Sequence, residues 1–160
     1  MGDLSKLRGG HFVIIGRAGM DFYPDPPGTK TEEATNFFAC LGGSSANIGV
    51  AINKHGGRTA LVTSVADDAI GRFCLNELDK YGIDRTHVKS VGGEYRNSLA
   101  VVESRMEDHQ SVIYRNGAAD FHMTKDHVSE VDFTKYDALI TTGTVFAAQP
   151  SRDAAFHGFD

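Results

Sequence analysis

Phe12-Val13-Ile14-Ile15-Gly16 is a run of four large apolar residues stopped by a glycine. With no polar residue alternating through it, the run reads as a short strand buried on both faces. Thr59-Ala60-Leu61-Val62-Thr63-Ser64-Val65 has a similar look. Between the two, a helix is expected from Ser44 or Ser45, because Ile48, Ala51 and Ile52 keep the i, i+3, i+4 stripe until Gly56-Gly57 end it. After the second strand, Asp67 or Asp68 caps another helix with the apolar face Ile70, Phe73, Cys74 and Leu78, closed by Gly82. Strand, helix, strand, helix predicts parallel α/β packing, with each helix serving as a crossover.

The stretch between Gly16 and Ser44 is an insertion in that unit. Tyr23-Pro24-Asp25-Pro26-Pro27-Gly28 cannot be helical, since proline lacks the amide donor, and Asn36–Leu41 reads as a strand that stops at Gly42-Gly43. From residue 87 three strand-like runs follow, His87–Val91, Ser98–Glu103 and Ser111–Arg115, the last two joined as a hairpin across the polar Arg105–Gln110. With residues 20–25 and 36–41 these runs predict a small sheet apart from the main one. Tyr136–Gly143 is a further buried strand, and Pro150–Phe156 begins a helix that has barely turned when the chain stops at Asp160. That stop reads as the front part of a longer protein. No internal repeat, low-complexity tract or linker interrupts the pattern.

Composition narrows the function. The 160 residues hold 16 Lys and Arg against 21 Asp and Glu, a formal charge of −5, which disfavours electrostatic capture of nucleic acid or anionic lipid. At 41% hydrophobic and 23% charged, the chain has the balance of one ordinary globular domain. No apolar run approaches the roughly 20 residues a membrane helix needs, and Met1–Gly10 has no hydrophobic core of a secretory signal. Cys40 and Cys74 form no CxxC pair, so two free thiols in a reducing cytoplasm are expected.

Two segments carry chemistry. In Gly42-Gly43-Ser44-Ser45-Ala46-Asn47, paired glycines entering a helix permit close backbone approach to a bound molecule, and the first helical amides lack internal partners. Asn47, one turn in, offers a donor and an acceptor to a hydroxyl. The same residues also suit a glycine turn with a serine cap. The pattern is neither a Walker A loop nor G-x-G-x-x-G, so phosphate cradling is not expected. In Gly16-Arg17-Ala18-Gly19-Met20-Asp21, a carboxylate follows a buried strand, where ligands of open parallel sheets sit. Asp21 can accept hydrogen bonds from sugar hydroxyls there, or be an ordinary loop aspartate. Asp67-Asp68 reads as a helix cap rather than a metal site. His122 and His127 are five apart and do not stack on one helical face, so no metal is expected. There is no Gly-x-Ser-x-Gly elbow of a hydrolase.

Taken together, Asp21, Gly42-Gly43-x-x-x-Asn47, Val65-Ala66-Asp67-Asp68-Ala69-Ile70-Gly71-Arg72, Leu78, Gly82-Ile83-Asp84 and Val88 resemble the amino-terminal half of the ribokinase-like (PfkB) sugar kinases. The resemblance covers essentially residues 12–160. It implies a three-layer α/β sandwich with a mostly parallel sheet, into which lid segments at about 20–41 and 97–117 are inserted. It further implies that Asp21, Gly42, Gly43 and Asn47 bind sugar hydroxyls, and that the lid closes over the sugar and can form a homodimer contact. ATP and Mg²⁺ would serve the complete enzyme. The family's Asp-Thr-x-Gly-Ala-Gly-Asp-type segment, which supplies the anion hole and the catalytic base, does not occur in this sequence. The resemblance therefore assigns no catalytic residue here and predicts an inert piece carrying the sugar site and lid.

Within the family, Ile14-Ile15-Gly16-Arg17-Ala18, Gly43–Ile48, Tyr114-Arg115 and Ser151-Arg152 are similar to members that phosphorylate 5-dehydro-2-deoxygluconate in myo-inositol breakdown. Arg115 fits that reading, because a guanidinium on a lid strand can pair with a sugar acid's carboxylate through two parallel hydrogen bonds; an arginine ending a strand also suits a solvated edge charge. Ile113, Arg17 and Arg152 are secondary candidates. Other family substrates are 2-dehydro-3-deoxygluconate, fructose, ribose or a nucleoside. The reading from a different class is a non-catalytic sugar-binding or oligomerisation module.

Overall fold

The computed structural model describes residues 10–160. Most of Met1–Gly10, the stretch without a signal-like hydrophobic core, lies outside them. The main sheet holds β1 (His11–Ile15), β4 (Arg58–Ala66), β5 (Val88–Val91) and β8 (Ala138–Thr141) in the order β5-β4-β1-β8, all parallel. The second sheet holds β2 (Gly19–Asp25), β3 (Asn36–Gly42), β6 (Leu99–Val102) and β7 (Ser111–Tyr114) in the order β3-β2-β6-β7.

Crossover helices α1 (Ser44–Lys54) and α2 (Ala69–Lys80) cover one face of the main sheet. There Ile14, Leu61 and Val65 pack against Ala46, Cys74 and Leu78. On the other face, α3 (Lys125–Ser129) and α4 (Ser151–His157) enclose Val13, Ile15 and Val62 with Val128, Ala154 and Ala155. Asp68 caps α2 as its sequence position suggests, accepting from the amides of Ile70 and Gly71 at 2.9 Å each.

One strand belongs elsewhere than expected. Residues 88–91 join the main sheet beside β4, with Thr63 opposite Val88 and Ala66 opposite Val91. The reason is topological: α2 is a crossover and returns the chain parallel to the strand it left. Strand β8 is half-buried throughout rather than fully covered. The expected hairpin is present, β6 and β7 pairing antiparallel from Leu99–Tyr114 to Val102–Ser111.

Two polar side chains fasten the second sheet. Asn97 accepts from the Ala66 amide at 3.1 Å and donates to the Ala18 carbonyl at 3.3 Å, with the Cys74 sulfur 3.2 Å from the same nitrogen. Glu103, only 4% exposed, accepts from the amides of Thr31 at 2.8 Å and Gln110 at 3.0 Å. Those backbone donors hold its carboxyl below the usual carboxylate range. One buried carboxylate thus joins the β2–β3 loop to the β6–β7 loop.

Candidate functional site

Gly19 and Gly42 stand opposite each other where β2 and β3 leave the body of the protein. A β-carbon on Gly42 would overlap the Asp21 carboxylate, and one on Gly19 would lie 2.8 Å from Ser98 Oγ and 3.2 Å from Arg17 Nη1. Residues two apart on a strand project from the same face, so Gly19 and Asp21 share one. The patch that the two glycines leave bare is therefore covered by a guanidinium and a carboxylate. Gly43, at φ 97°, would drive a β-carbon into the Arg17 carbonyl oxygen. Its bare Cα lets the start of α1 settle on that backbone, with the Ala46 amide 3.4 Å from the Arg17 oxygen.

Register extends the face. Cys40, Asp21, Ala100 and Ile113 oppose one another in a row across all four strands. Asp21 Oδ1 is buried and without a hydrogen-bond partner. Burial raises the Asp21 pKa, with Arg17 pulling it back. Arg17 is 8% exposed and donates through Nη1 to Ser98 Oγ at 3.0 Å. Desolvation lowers its pKa, while Asp21 and Asp120 act against that shift.

At the helix start, Ser44 donates to Thr142 Oγ1 at 3.0 Å, and Ser45 Oγ lies 3.0 Å from the same oxygen. Thr142 is 3.2 Å from the Thr144 hydroxyl, and the Thr144 carbonyl accepts from Arg115 Nη2 at 2.9 Å. This polar chain joins α1 to the end of β7.

Arg115 is already engaged. Its Nε donates to Asp120 Oδ2 at 3.1 Å and Nη2 donates to the same oxygen. The guanidinium carbon also sits 4.2 Å from the centre of the Phe121 ring. Asp120, its side chain 4% exposed, keeps Oδ1 buried and unpartnered.

Asp21, Gly42, Gly43 and Arg17 are thus brought together at the root of the second sheet. Asn47 is exposed on α1 and lines a cleft of about 390 Å³ with Tyr23, Phe38, Cys40, Lys54 and Tyr81. Ile113 and Arg115 line a different cleft, of about 490 Å³, with Phe121, His122 and Gln149. Arg152 is exposed on α4 and lines neither. Asp120 and Ser98 were missed by the sequence reading. Asp120 sits in a 3-10 turn, Ala119–His122, five residues after its arginine, a spacing that no regular element marks. Among the described residues no group of three or more His, Cys, Asp or Glu is placed to hold a metal ion. Among the described residues no helix is long and apolar enough to cross a membrane.

Comparison with known proteins agrees with this architecture. The pfkB family carbohydrate kinase profile matches residues 10–158. The chain is 34% identical over 142 residues to a 5-dehydro-2-deoxygluconokinase of Photobacterium profundum, covering 89% of this chain and 43% of that protein. It is 34% identical over 149 residues to the enzyme of the same name from Clostridium perfringens strain 13, with the same coverage. The chain thus spans less than half the length of these curated relatives. Among solved structures, a fructokinase from Xylella fastidiosa superposes with a TM-score of 0.80 at 21% identity, over 92% of this chain and 45% of that one. A fructokinase from Halothermothrix orenii gives 0.79 at 22%, over 93% and 52%. Those two likenesses are of fold. With the profile running almost from end to end of the described residues, this chain belongs to the pfkB family of carbohydrate kinases.

Proposed function

We propose that this chain is the sugar-binding portion of an ATP-dependent carbohydrate kinase whose acceptor is a sugar acid, 5-dehydro-2-deoxygluconate, and which thereby serves myo-inositol breakdown in the cytoplasm. The observation that carries this is Asp21 Oδ1, a buried acceptor with no protein partner, set beside a guanidinium at the root of the second sheet. A buried carboxylate oxygen left unmade is costly, and a substrate hydroxyl would repay it. The names of the relatives supply the substrate.

On this reading Asp21 accepts from sugar hydroxyls, and the backbone of Gly42 and Gly43 brings α1 against the sugar. Asn47 adds a donor and an acceptor, while Arg17 and Arg115 are the cations available to the acid end. The second sheet is the lid, with Ala100 and Ile113 presenting apolar surface in the same row as Asp21. Closing it would exclude water from the acceptor hydroxyl, which sharpens every polar contact inside. A homodimer contact through that sheet belongs to the same proposal.

No residue present is assigned to a nucleotide or its metal. No acidic trio exists among the described residues, and the sequence has neither a Walker A loop nor the glycine-rich aspartate segment. No phosphoryl-transfer step is assigned to these residues.

Titration calorimetry of the chain with 5-dehydro-2-deoxygluconate tests the site. Saturable heat is expected, with affinity lowered at least tenfold in Asp21→Asn. Absence of heat with this acid and with neutral sugars, or an Asp21→Asn variant that binds as well as the parent, overturns the reading.

A further inference from the structure

Arg17 lies in the candidate site with Arg115 in electrostatic range of it, and the two differ in what the protein already does with them. Arg115 is spoken for: Asp120 takes its Nε and Nη2, the Thr144 carbonyl takes Nη2 as well, and Phe121 lies against its plane. Its charge is matched by a carboxylate whose side chain is 4% exposed. Arg17 is in the opposite condition. It is 8% exposed and, among the described residues, makes no ion pair and one side-chain hydrogen bond, to the neutral Ser98 hydroxyl.

A guanidinium carries five N–H donors in a fixed fork, so most of the fork of Arg17 is unmade. Burying a cation in that condition costs free energy unless an anion completes it. The charged groups that act on Arg17 are Asp21 and Asp120, with Arg115 and the Cys74 thiol also in range. Asp120 is committed to Arg115, and Asp21 offers an oxygen without reaching ion-pair contact.

Geometry places one nitrogen of the fork. Nη1 lies 3.2 Å from the position a Gly19 β-carbon would take, on the face that also carries Asp21. It therefore lies on the same face of the sheet as the unpartnered Asp21 Oδ1.

We infer that Arg17, not Arg115, is the residue that selects a carboxylate-bearing substrate over a neutral sugar: its incompletely used, buried guanidinium receives the acid group while Asp21 receives a hydroxyl. Arg115 and Asp120 form a compensated pair that shapes the far end of the site. This rests on the sugar-acid reading above and names the group that makes it a sugar-acid site.

The test measures the affinities of the full chain for 5-dehydro-2-deoxygluconate and for a neutral sugar, fructose, by calorimetry. In Arg17→Gln the ratio of acid to neutral affinity is expected to fall at least tenfold. In Arg115→Gln both affinities shift by a similar factor and the ratio holds. Arg17→Lys keeps the charge but loses the fork, so the ratio drops several-fold. This variant decides the matter if Arg17→Gln fails to fold. An unchanged ratio in the Arg17 variants, or collapse of the ratio in Arg115→Gln alone, overturns the inference while leaving the sugar site standing. A parent chain that binds neither compound overturns the sugar-site reading and this inference with it.

Discussion

Gly19 and Gly42 face each other across the β2–β3 ladder, and the space a side chain would fill is taken by Ser98 and Arg17 at Gly19 and by Asp21 at Gly42. These glycines are thus conditions for the two charged groups to lie flat on the sheet. Gly42→Ala puts a methyl into the Asp21 carboxylate. It is expected to destabilise the fold by about 1–3 kcal/mol, as overpacking does, and to weaken sugar uptake with it. Urea unfolding and calorimetry on one preparation check both; a Gly42→Ala chain with parental midpoint and affinity would contradict this geometry.

Asp120→Asn removes the charge that holds Arg115 by two donors. Because the aspartate side chain is 4% exposed and the arginine 15%, the loss is expected near 2–4 kcal/mol, well above that of an exposed pair. Lys30–Glu33, at 46% and 63% exposure, is the internal control. Glu33→Gln should move the urea midpoint by less than a quarter as much.

His127 gives the stability a pH signature. Its Nε2 lies 2.9 Å from the His87 carbonyl oxygen, so that nitrogen carries the proton and donates. Nδ1 is buried without a partner. Burial depresses its pKa below the ordinary 6.5, the hydrogen bond to the His87 carbonyl opposes this, and Lys89 lowers it further against Glu130. The unfolded chain therefore takes up a proton first on acidification. The stabilisation is complete above about pH 6.5 and is lost as pH falls towards the depressed native value. Urea midpoints at pH 7.5 and 5.5 should differ more for the parent than for His127→Gln. Equal differences would remove His127 from the account.

The two thiols should separate cleanly. Cys74 is fully buried and its thiol is pushed up to about 12, chiefly by desolvation, whereas Cys40 is half-buried with a smaller upward shift. Since the thiolate is the reactive form, iodoacetamide at pH 8 is expected to modify Cys40 first and leave Cys74 untouched in the folded chain. Mass spectrometry of the alkylated peptides reads this directly, and equal rates would mean that the core around α2 opens.

A coupled assay on the purified chain is expected to record no sugar-dependent ATP consumption, because no residue here is assigned to hold the nucleotide or to accept the hydroxyl proton. Measurable turnover that depends on added sugar acid would show that this expectation is wrong.

Much of the architecture was readable because its cues are local. The apolar run at 12–15, the stripe through Ile48 and Ile52 and the cap at Asp68 each follow from a few adjacent residues. Val88–Val91 shows where such cues end. Its residues have strand character, yet nothing in them says which sheet they join, and the crossover through α2 decides it. The site divides in the same way. Asp21 and the glycine pair, which the structure brings together, stand out as candidates by type and position, whereas the contrast between Arg17 and Arg115 does not. Two arginines look alike in a sequence, and only their partners, Ser98 and Asp120, separate them.

Asn97 touches Ala66, Ala18 and Cys74 at once, and so gathers the end of β4, the root of the second sheet and the middle of α2 onto a single amide group. Any rocking of that sheet must strain or break this mooring. If that sheet moves as the proposed lid, its motion is coupled to α2 through this one amide, and Asn97→Ala is expected to uncouple the two.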